Sequence, residues 1–594
     1  MPDRGGAALN PAQRRRDVGR LAAERFDLLV IGGGVTGCGA ALDAATRGLS
    51  VALVEARDWA AGTSSRSSKL IHGGLRYLEQ RDFALVREAL TERGLMLRRL
   101  APHLVRPVPF VLPLTHRVWQ RGYYGAGVAL YDLLAALPVV GPAGNRAGPP
   151  LPRHRQLTRR AALRAFPGLR ADRLVGAIQY WDAQVDDARH TLTVARTAAR
   201  YGAALVSSAR VVELLRDGQR VIGARVRDLE AGTEIDVRAR CVVAATGVWS
   251  DDIGAMLGAE PGADGTGGLR VRASKGVHLV VPRDRIDGGT GLILRTATSV
   301  LLVIPWGRHW LIGTTDHDWT LDRAHPAASS VDIAYLLGQV NRLLVRPLST
   351  ADVVGVYAGL RPLLSGESDA TSALSREHAV VHPAPGLVLI AGGKYTTYRV
   401  MAADVIDAAV ADAGLHWVPP SRTGRLPLLG ARGLAALAAD RDELARAHRL
   451  PVQQVDRLLH RYGTLVTDLL ALAQARPGLR EPVPGAPDHL AAEIYYAAAA
   501  EGALHLDDVL TRRTRISVQT GHRGVDSAEA VAALVAPVLG WDHRDIRREV
   551  THYLARVAAE RQSQQMPDDH TADAARLGAP DVRGLSLPMA EKQV

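Results

Sequence analysis

The sequence predicts an α/β protein: a Rossmann-like domain, an antiparallel-sheet domain threaded between its pieces, and a C-terminal helical domain. Three observations predict it. First, a short apolar run, Asp27 to Ile31, leads into Gly32, Gly34 and Gly37, then an apolar helix from Val35 to Arg47, then a strand from Val51 to Val54 ending in Glu55. Second, alternating strands recur from about Val271 to Thr315. Third, the chain from the Pro419–Pro420 break to Gln562 reads as helices.

Each part of the first pattern has a physical job. The apolar run is the signature of a parallel strand buried on both faces. Gly32 permits the tight turn, Gly34 lets backbone approach a pyrophosphate, and Gly37 lets the helix close on the strand. The helix N-terminus turns unpaired N–H groups and a positive dipole end toward the phosphates. Glu55, eighteen residues beyond Gly37, accepts from a ribose hydroxyl. Glycine is abundant, at 58 residues, so the motif alone is weak; its strand–loop–helix–strand–Glu context makes it specific for a dinucleotide.

The next stretch distinguishes NAD from FAD. Thr63, Ser64, Ser65, Ser67 and Ser68 form a hydroxyl-rich loop that runs into Lys69-Leu70-Ile71-His72-Gly73-Gly74-Leu75-Arg76-Tyr77. This stretch resembles the flavin loop of the FAD-dependent sn-glycerol-3-phosphate dehydrogenases. The resemblance recurs in Trp181 to Arg189, in Thr246-Gly247-Val248-Trp249, in Lys275 to Val281, in Ile312 to Asp316, in Tyr357 to Leu363, in Gly392 to Arg399 and in Asp507 to Arg515. It covers about Arg25 to Glu560. It implies a D-amino-acid-oxidase/glutathione-reductase-like flavin domain with FAD held by Gly32, Gly34, Gly37, Glu55, Thr63, Ser64, Ser65, Ser67, Lys69, Leu70, His72, Gly73, Gly247, Trp249, Gly393, Lys394 and Thr396.

The implied activity is oxidation of glycerol 3-phosphate to dihydroxyacetone phosphate, with electrons passed to a membrane quinone. Arg361 is the candidate to stabilise developing alkoxide charge, and His278 the candidate general base. Arg76, Tyr77 and Arg376 are the candidate phosphate ligands, with Thr315 and Lys394 completing the substrate set. Lys394 and the helix starting near Thr396 suit the negative charge that a reduced flavin gains. Three alternatives stay open: an oxidase using oxygen, an amine or amino-acid oxidase, and a non-catalytic flavin-binding module.

Composition bounds the rest. At 594 residues the chain holds two or three domains, and 47% apolar residues fit a globular protein. The net charge of +12, from 73 basic and 61 acidic residues, suits acidic substrates or an anionic membrane surface. No basic-aromatic stripe points to nucleic acid. Cys38 and Cys241 read as small buried residues, with no disulfide framework or metal set, which suits a reducing, cytoplasmic compartment. No run is long and apolar enough to span a membrane. Tyr123 to Val140, flanked by arginines, is either a helix lying in the membrane interface on the inner face of the cell membrane or a core helix.

The expected organisation is a flexible N-terminus at 1–25; a discontinuous FAD-binding domain at 26–103, 177–252 and 350–415; a substrate domain at 104–176 and 253–349; a helical domain at 421–562; and a disordered tail at 563–594. The oligomeric state is open, with a homodimer among the options.

Overall fold

The computed structural model describes residues 7–74, 78, 82–116, 118–136, 151–172, 174–258, 269–296, 300–364 and 377–584. Two large sheets carry the architecture. Numbered along the chain, the first holds β1 (Arg25–Ile31), β2 (Val51–Glu55), β7 (Ala204–Ser207), β8 (Ala209–Asp217), β9 (Arg220–Asp228), β10 (Thr233–Ala244), β17 (His378–Ala384) and β18 (Leu387–Gly392). Its order is β17-β18-β10-β1-β2-β7, and β18, β10, β1, β2 and β7 run parallel. The residues of β1 from Leu28 to Val30 are wholly buried, as a strand covered on both faces requires. Helices Val35–Thr46, Asp187–Arg200 and Tyr398–Asp412 supply much of the core packed on one face.

The second sheet holds β3 (Leu70–Ile71), β4 (Arg106–Leu114), β5 (Arg155–Thr158), β6 (Gly176–Gln184), β11 (Val271–Pro282), β12 (Gly291–Arg295), β13 (Val300–Trp306), β14 (His309–Gly313), β15 (His317–Asp318) and β16 (Gly355–Leu364). It is antiparallel except for the β12–β4 pair. Helix Ser330–Asn341 adds Leu336 and Val340 to the core under this sheet, with Trp310 of β14 and Val277, Leu279 and Val281 of β11. That apolar layer fixes the strands bearing the site.

Several expected boundaries move. All but the first residue of β6 lies in the span 177–252 assigned to the FAD-binding domain, yet the strand pairs along its whole length with β4 of the second sheet. Likewise β16, inside 350–415, pairs ten residues with β11. Alternating apolar residues mark a strand but carry no information about which sheet takes it. The chain turns at Ser208, which has φ +57, so β7 joins the parallel sheet and β8 leaves to pair with β9.

Both termini are more ordered than expected. Within 1–25, Pro11–Ala23 is a helix capped by Asn10, with Gln13, Asp17 and Leu21 buried. Within 563–594, Asp569–Leu577 is a helix capped by Asp568, with Ala572 wholly buried. The helical domain runs from Leu434 onward, with helices Leu434–Ala439 and Arg441–His448 meeting at Asp440, and helices Val452–Tyr462 and Val466–Ala475 separated at Gly463. Among the described residues no helix is long and apolar enough to cross a membrane.

Candidate active site

The Gly32–Gly37 turn sits at the carboxyl ends of β1 and β10, where open parallel sheets bind ligands. A Cβ at Gly32, which has φ +110, would meet the Ala245 carbonyl oxygen at 2.6 Å, and one at Gly37 would meet the Gly32 carbonyl oxygen at 1.9 Å. Only glycine fits either place. Helix Val35–Thr46 has no side-chain cap from Gly34; instead the Val35 N–H donates to Ser64 Oγ at 2.9 Å, joining the glycine turn to the hydroxyl loop. Glu55 accepts from the Gly33 N–H at 2.6 Å and the Arg57 N–H at 2.7 Å, and burial raises its pKa. Opposite, Gly247 has φ +59 with open space where a side chain would stand.

The loop from Thr63 to Gly73 connects this turn to both sheets. Thr63 Oγ donates to the Leu360 carbonyl on β16 at 2.7 Å. Ser65 offers its carbonyl to Lys69 Nζ at 2.7 Å and to Arg515 at 3.0 Å. Ser68 Oγ lies 2.9 Å from His278 Nε2 on β11. Leu70 pairs with Gln184 as β3 joins β6. The His72 N–H donates to Thr396 Oγ and the His72 carbonyl accepts from it, each at 3.2 Å. Gly73 donates its N–H to the Tyr131 hydroxyl at 2.8 Å. The Trp249 ring packs over this loop, only 3.0 Å from where a Gly62 Cβ would stand. On the far side Gly392 and Gly393, at φ +77 and +79, turn the chain through Lys394 into a short 3-10 segment, Tyr395–Thr397, ahead of helix Tyr398–Asp412.

Arg361 projects from β16 and donates to Asp316 at 2.9 Å, to Ser274 Oγ at 3.3 Å and to the Thr315 carbonyl at 3.3 Å. Asp316 thereby orients the guanidinium. His278 stacks on Tyr357, centroids 4.8 Å apart and planes 9° from parallel. Its Nδ1 is buried and makes no hydrogen bond among the described residues. Burial, then the charges of Lys69 and Arg361, push its pKa well below the ordinary histidine value, so the ring is neutral at neutral pH. The ring is therefore unprotonated at working pH, while the neighbouring cations disfavour the imidazolium form.

The Thr315 hydroxyl accepts the Val277 N–H at 3.0 Å and its carbonyl accepts from Arg361 at 3.3 Å, so this buried residue braces β11 and Arg361. Arg76, Tyr77 and Arg376 lie outside the described residues.

Residues not singled out from sequence hold the loop in place. Asp187 is fully buried and accepts from Ser67 N–H at 2.9 Å, Ser67 Oγ at 2.7 Å, Lys69 Nζ at 2.8 Å and Arg515. Arg515 also binds Asp186 at 2.8 Å. Beside it, Arg512 and Arg513 both bind Asp58, just beyond β2. The helical domain therefore reaches across to fix the flavin loop. Trp181 to Arg189 and Asp507 to Arg515 each stand out in the sequence, but nothing there pairs one with the other.

The geometry fits FAD: a glycine cradle that a Cβ would fill, a carboxylate at the end of β2, and open backbone at Gly247. Comparison with known proteins agrees. Residues 27–399 match the family described as FAD dependent oxidoreductase, and residues 421–546 match the C-terminal domain of alpha-glycerophosphate oxidase. The chain is 58% identical over 581 residues to glycerol-3-phosphate dehydrogenase 2 of Mycobacterium tuberculosis, covering 98% of this chain and 96% of that one. It is 39% identical over 541 residues to the mitochondrial glycerol-3-phosphate dehydrogenase of Homo sapiens, covering 87% and 71%. The Bacillus halodurans glycerol-3-phosphate dehydrogenase, solved with FAD, superposes with a TM-score of 0.74 at 27% identity, over 93% of this chain and 98% of that one. Near-complete coverage across both matched regions leads to one conclusion: the chain belongs to the FAD-dependent glycerol-3-phosphate dehydrogenases.

Proposed function

We propose that the protein oxidises sn-glycerol 3-phosphate at C2 to dihydroxyacetone phosphate and delivers the electrons to a membrane quinone. The observation that carries the reading is the juxtaposition of Arg361, held by Asp316, with a buried neutral His278 against the flavin loop. FAD, when bound, supplies the hydride acceptor and carries the electrons onward. Arg361 binds the C2 oxygen and stabilises the charge that develops there as the C–H bond breaks. His278 takes the hydroxyl proton at Nδ1, while Ser68 and the Tyr357 ring fix the imidazole plane. Arg76, Tyr77 and Arg376 bind the phosphate, so that energy from this remote group positions C2. Lys394 and the start of helix Tyr398–Asp412 favour negative charge on the reduced cofactor.

The protein docks peripherally on the anionic inner face of the cell membrane through helix Trp119–Ala136. Gly125, Val128 and Tyr131 form its buried face, while Trp119, Tyr123 and Leu133 are more than half exposed on the other. Arg153 and Arg155 follow in the chain. An amphipathic helix of this kind, with aromatic residues outward and cations near, suits an interface. Replacing Trp119, Tyr123 and Leu133 by Ser should release the protein from anionic vesicles while dye-linked activity persists; undiminished vesicle binding would contradict the assignment. The acceptor is tested by reoxidation of the substrate-reduced enzyme: a short-chain quinone should outpace oxygen, and steady peroxide formation at the quinone rate would identify an oxidase.

A further inference from the structure

Behind the flavin loop, where the helical domain meets both sheets, lies a cavity lined by six arginines: Arg57, Arg66, Arg512, Arg556, Arg576 and Arg583. The segment that follows Met566 closes it, contributing Arg576, Asp581 and Arg583 to the wall. A neighbouring lobe reaches Ser65 and Lys69 in the loop and Tyr357 on β16. Neither Arg361 nor His278 lines either part.

The acidic groups facing this space are already matched. Asp507 is bound by Arg512 at 2.9 Å and Arg556 at 2.8 Å. Glu560 is bound by Arg556 at 2.8 Å, with Arg576 at 3.7 Å. Asp581 is bound by Arg57 at 3.4 Å and His325 at 3.3 Å. Glu549 is bound by His505 at 3.0 Å. Asp508, behind Arg583 and Arg512, takes both. Arg66 differs. Among the described residues no acid forms an ion pair with it, although Glu560 is near enough to favour its charge, and its hydrogen bond goes to the Ala324 carbonyl at 3.1 Å. Burial and the guanidiniums of Arg512, Arg556 and Arg576 push its pKa down to about 9. His325 beside it is pushed down to about 4, first by burial and then by Arg576, so it is neutral.

Positive charge gathered in an enclosed space without a matching acid is destabilising, and planar guanidinium forks match the oxygens of a tetrahedral oxyanion. We propose that this cavity is a binding site for a phosphate dianion, either the free ion or a small phosphate monoester, distinct from the substrate site. Arg66 is the residue whose charge the ligand offsets, with Arg556 and Arg576 as its companions. Because Arg66 sits between Ser65 and Ser67 in the flavin loop, occupancy stiffens the cofactor-binding loop from behind.

Arg66 is also the clean probe, since Arg66→Met leaves no acid unpaired among the described residues and removes a charge that three guanidiniums repel. The test is the melting temperature of the FAD-loaded protein in zwitterionic buffer with sodium phosphate, with methyl phosphate, or with sodium chloride at equal ionic strength. Ligand bound only to the folded state raises the melting point with concentration. Wild type and Arg66→Lys should gain stability with phosphate beyond that with chloride; most of the gain should vanish in Arg66→Met. Methyl phosphate separates a monoester site from one for the free ion. The substrate site also takes phosphate, so an equal gain in wild type and Arg66→Met overturns the proposal, as does no gain beyond chloride. Equilibrium dialysis of wild-type holoenzyme against labelled phosphate needs no variant: binding of more than one phosphate per chain is expected, and saturation at one or fewer overturns it.

Discussion

Replacing Asp187 by Asn should uncouple the flavin loop from the helical domain. Two buried or half-buried carboxylates, Asp186 and Asp187, face Lys69, Arg515 and Arg461. Lys69 and Arg515 are themselves almost wholly buried. After Asp187→Asn one carboxylate faces three cations, and the Ser67 N–H and hydroxyl lose a charged acceptor. Stranding a buried cation in this way costs about 3–5 kcal/mol. Lys69→Met is the contrasting change. It leaves Asp187 with Arg515 and removes a cation whose pKa burial and Arg515 already push down to about 8. Its cost should stay below about 2 kcal/mol. The assay is urea unfolding of the holoprotein followed by flavin fluorescence, with FAD dissociation measured on the same samples. Since about 1.4 kcal/mol corresponds to a tenfold change, even a third of the loss appearing in cofactor binding weakens FAD about tenfold. If Asp187→Asn retains wild-type stability and FAD affinity, or if Lys69→Met is the more damaging change, the buried cluster is not what holds the loop.

Other expectations follow from the same geometry. Because His278 has a pKa well below the ordinary histidine value, kcat/KM should stay level through neutral pH and fall only well into the acid range; a fall centred near the ordinary value would show a different base. His278→Asn should lower kcat by about 10²–10⁴, and steady-state rates with saturating substrate check it. His505, between Glu230 and Glu549 at 3.0 Å each, has its pKa raised to about 9. Its stabilising contribution, roughly 3 kcal/mol, is therefore complete below about pH 6.5, declines as pH rises, and is gone above about 9; His505→Gln should flatten that part of the stability profile. Cys38 and Cys241 are buried, with pKa values raised by burial, so FAD should be held without a thioether, and acid should release all of the yellow flavin into the supernatant.

The site was legible in sequence where chemistry demands rare residue patterns. The glycine turn and the Gly392–Gly393 turn stand where their spacing put them, because few other residues tolerate those backbone angles and close approaches. The ordered termini were not legible. Helix Pro11–Ala23 buries Gln13 and Asp17 as well as Leu21, and the terminal helix buries Ala572, Asp573 and Arg576. Faces that bury through hydrogen bonds and ion pairs show little apolar periodicity. Asp187 and Arg515 lie 328 positions apart, and only the folded chain brings them together. The same applies to Asp316, whose value lies in holding Arg361 across the sheet.

Whether this chain uses bound FAD to oxidise the secondary alcohol of a phosphorylated substrate can be read from the flavin itself. The oxidised holoprotein is mixed with sn-glycerol 3-phosphate in the absence of oxygen, and the flavin absorbance is followed. Complete bleaching is expected, with one dihydroxyacetone phosphate formed per flavin, and far slower bleaching with glycerol at the same concentration. Flavin that stays oxidised with sn-glycerol 3-phosphate, or bleaches equally fast with glycerol, would contradict that chemistry.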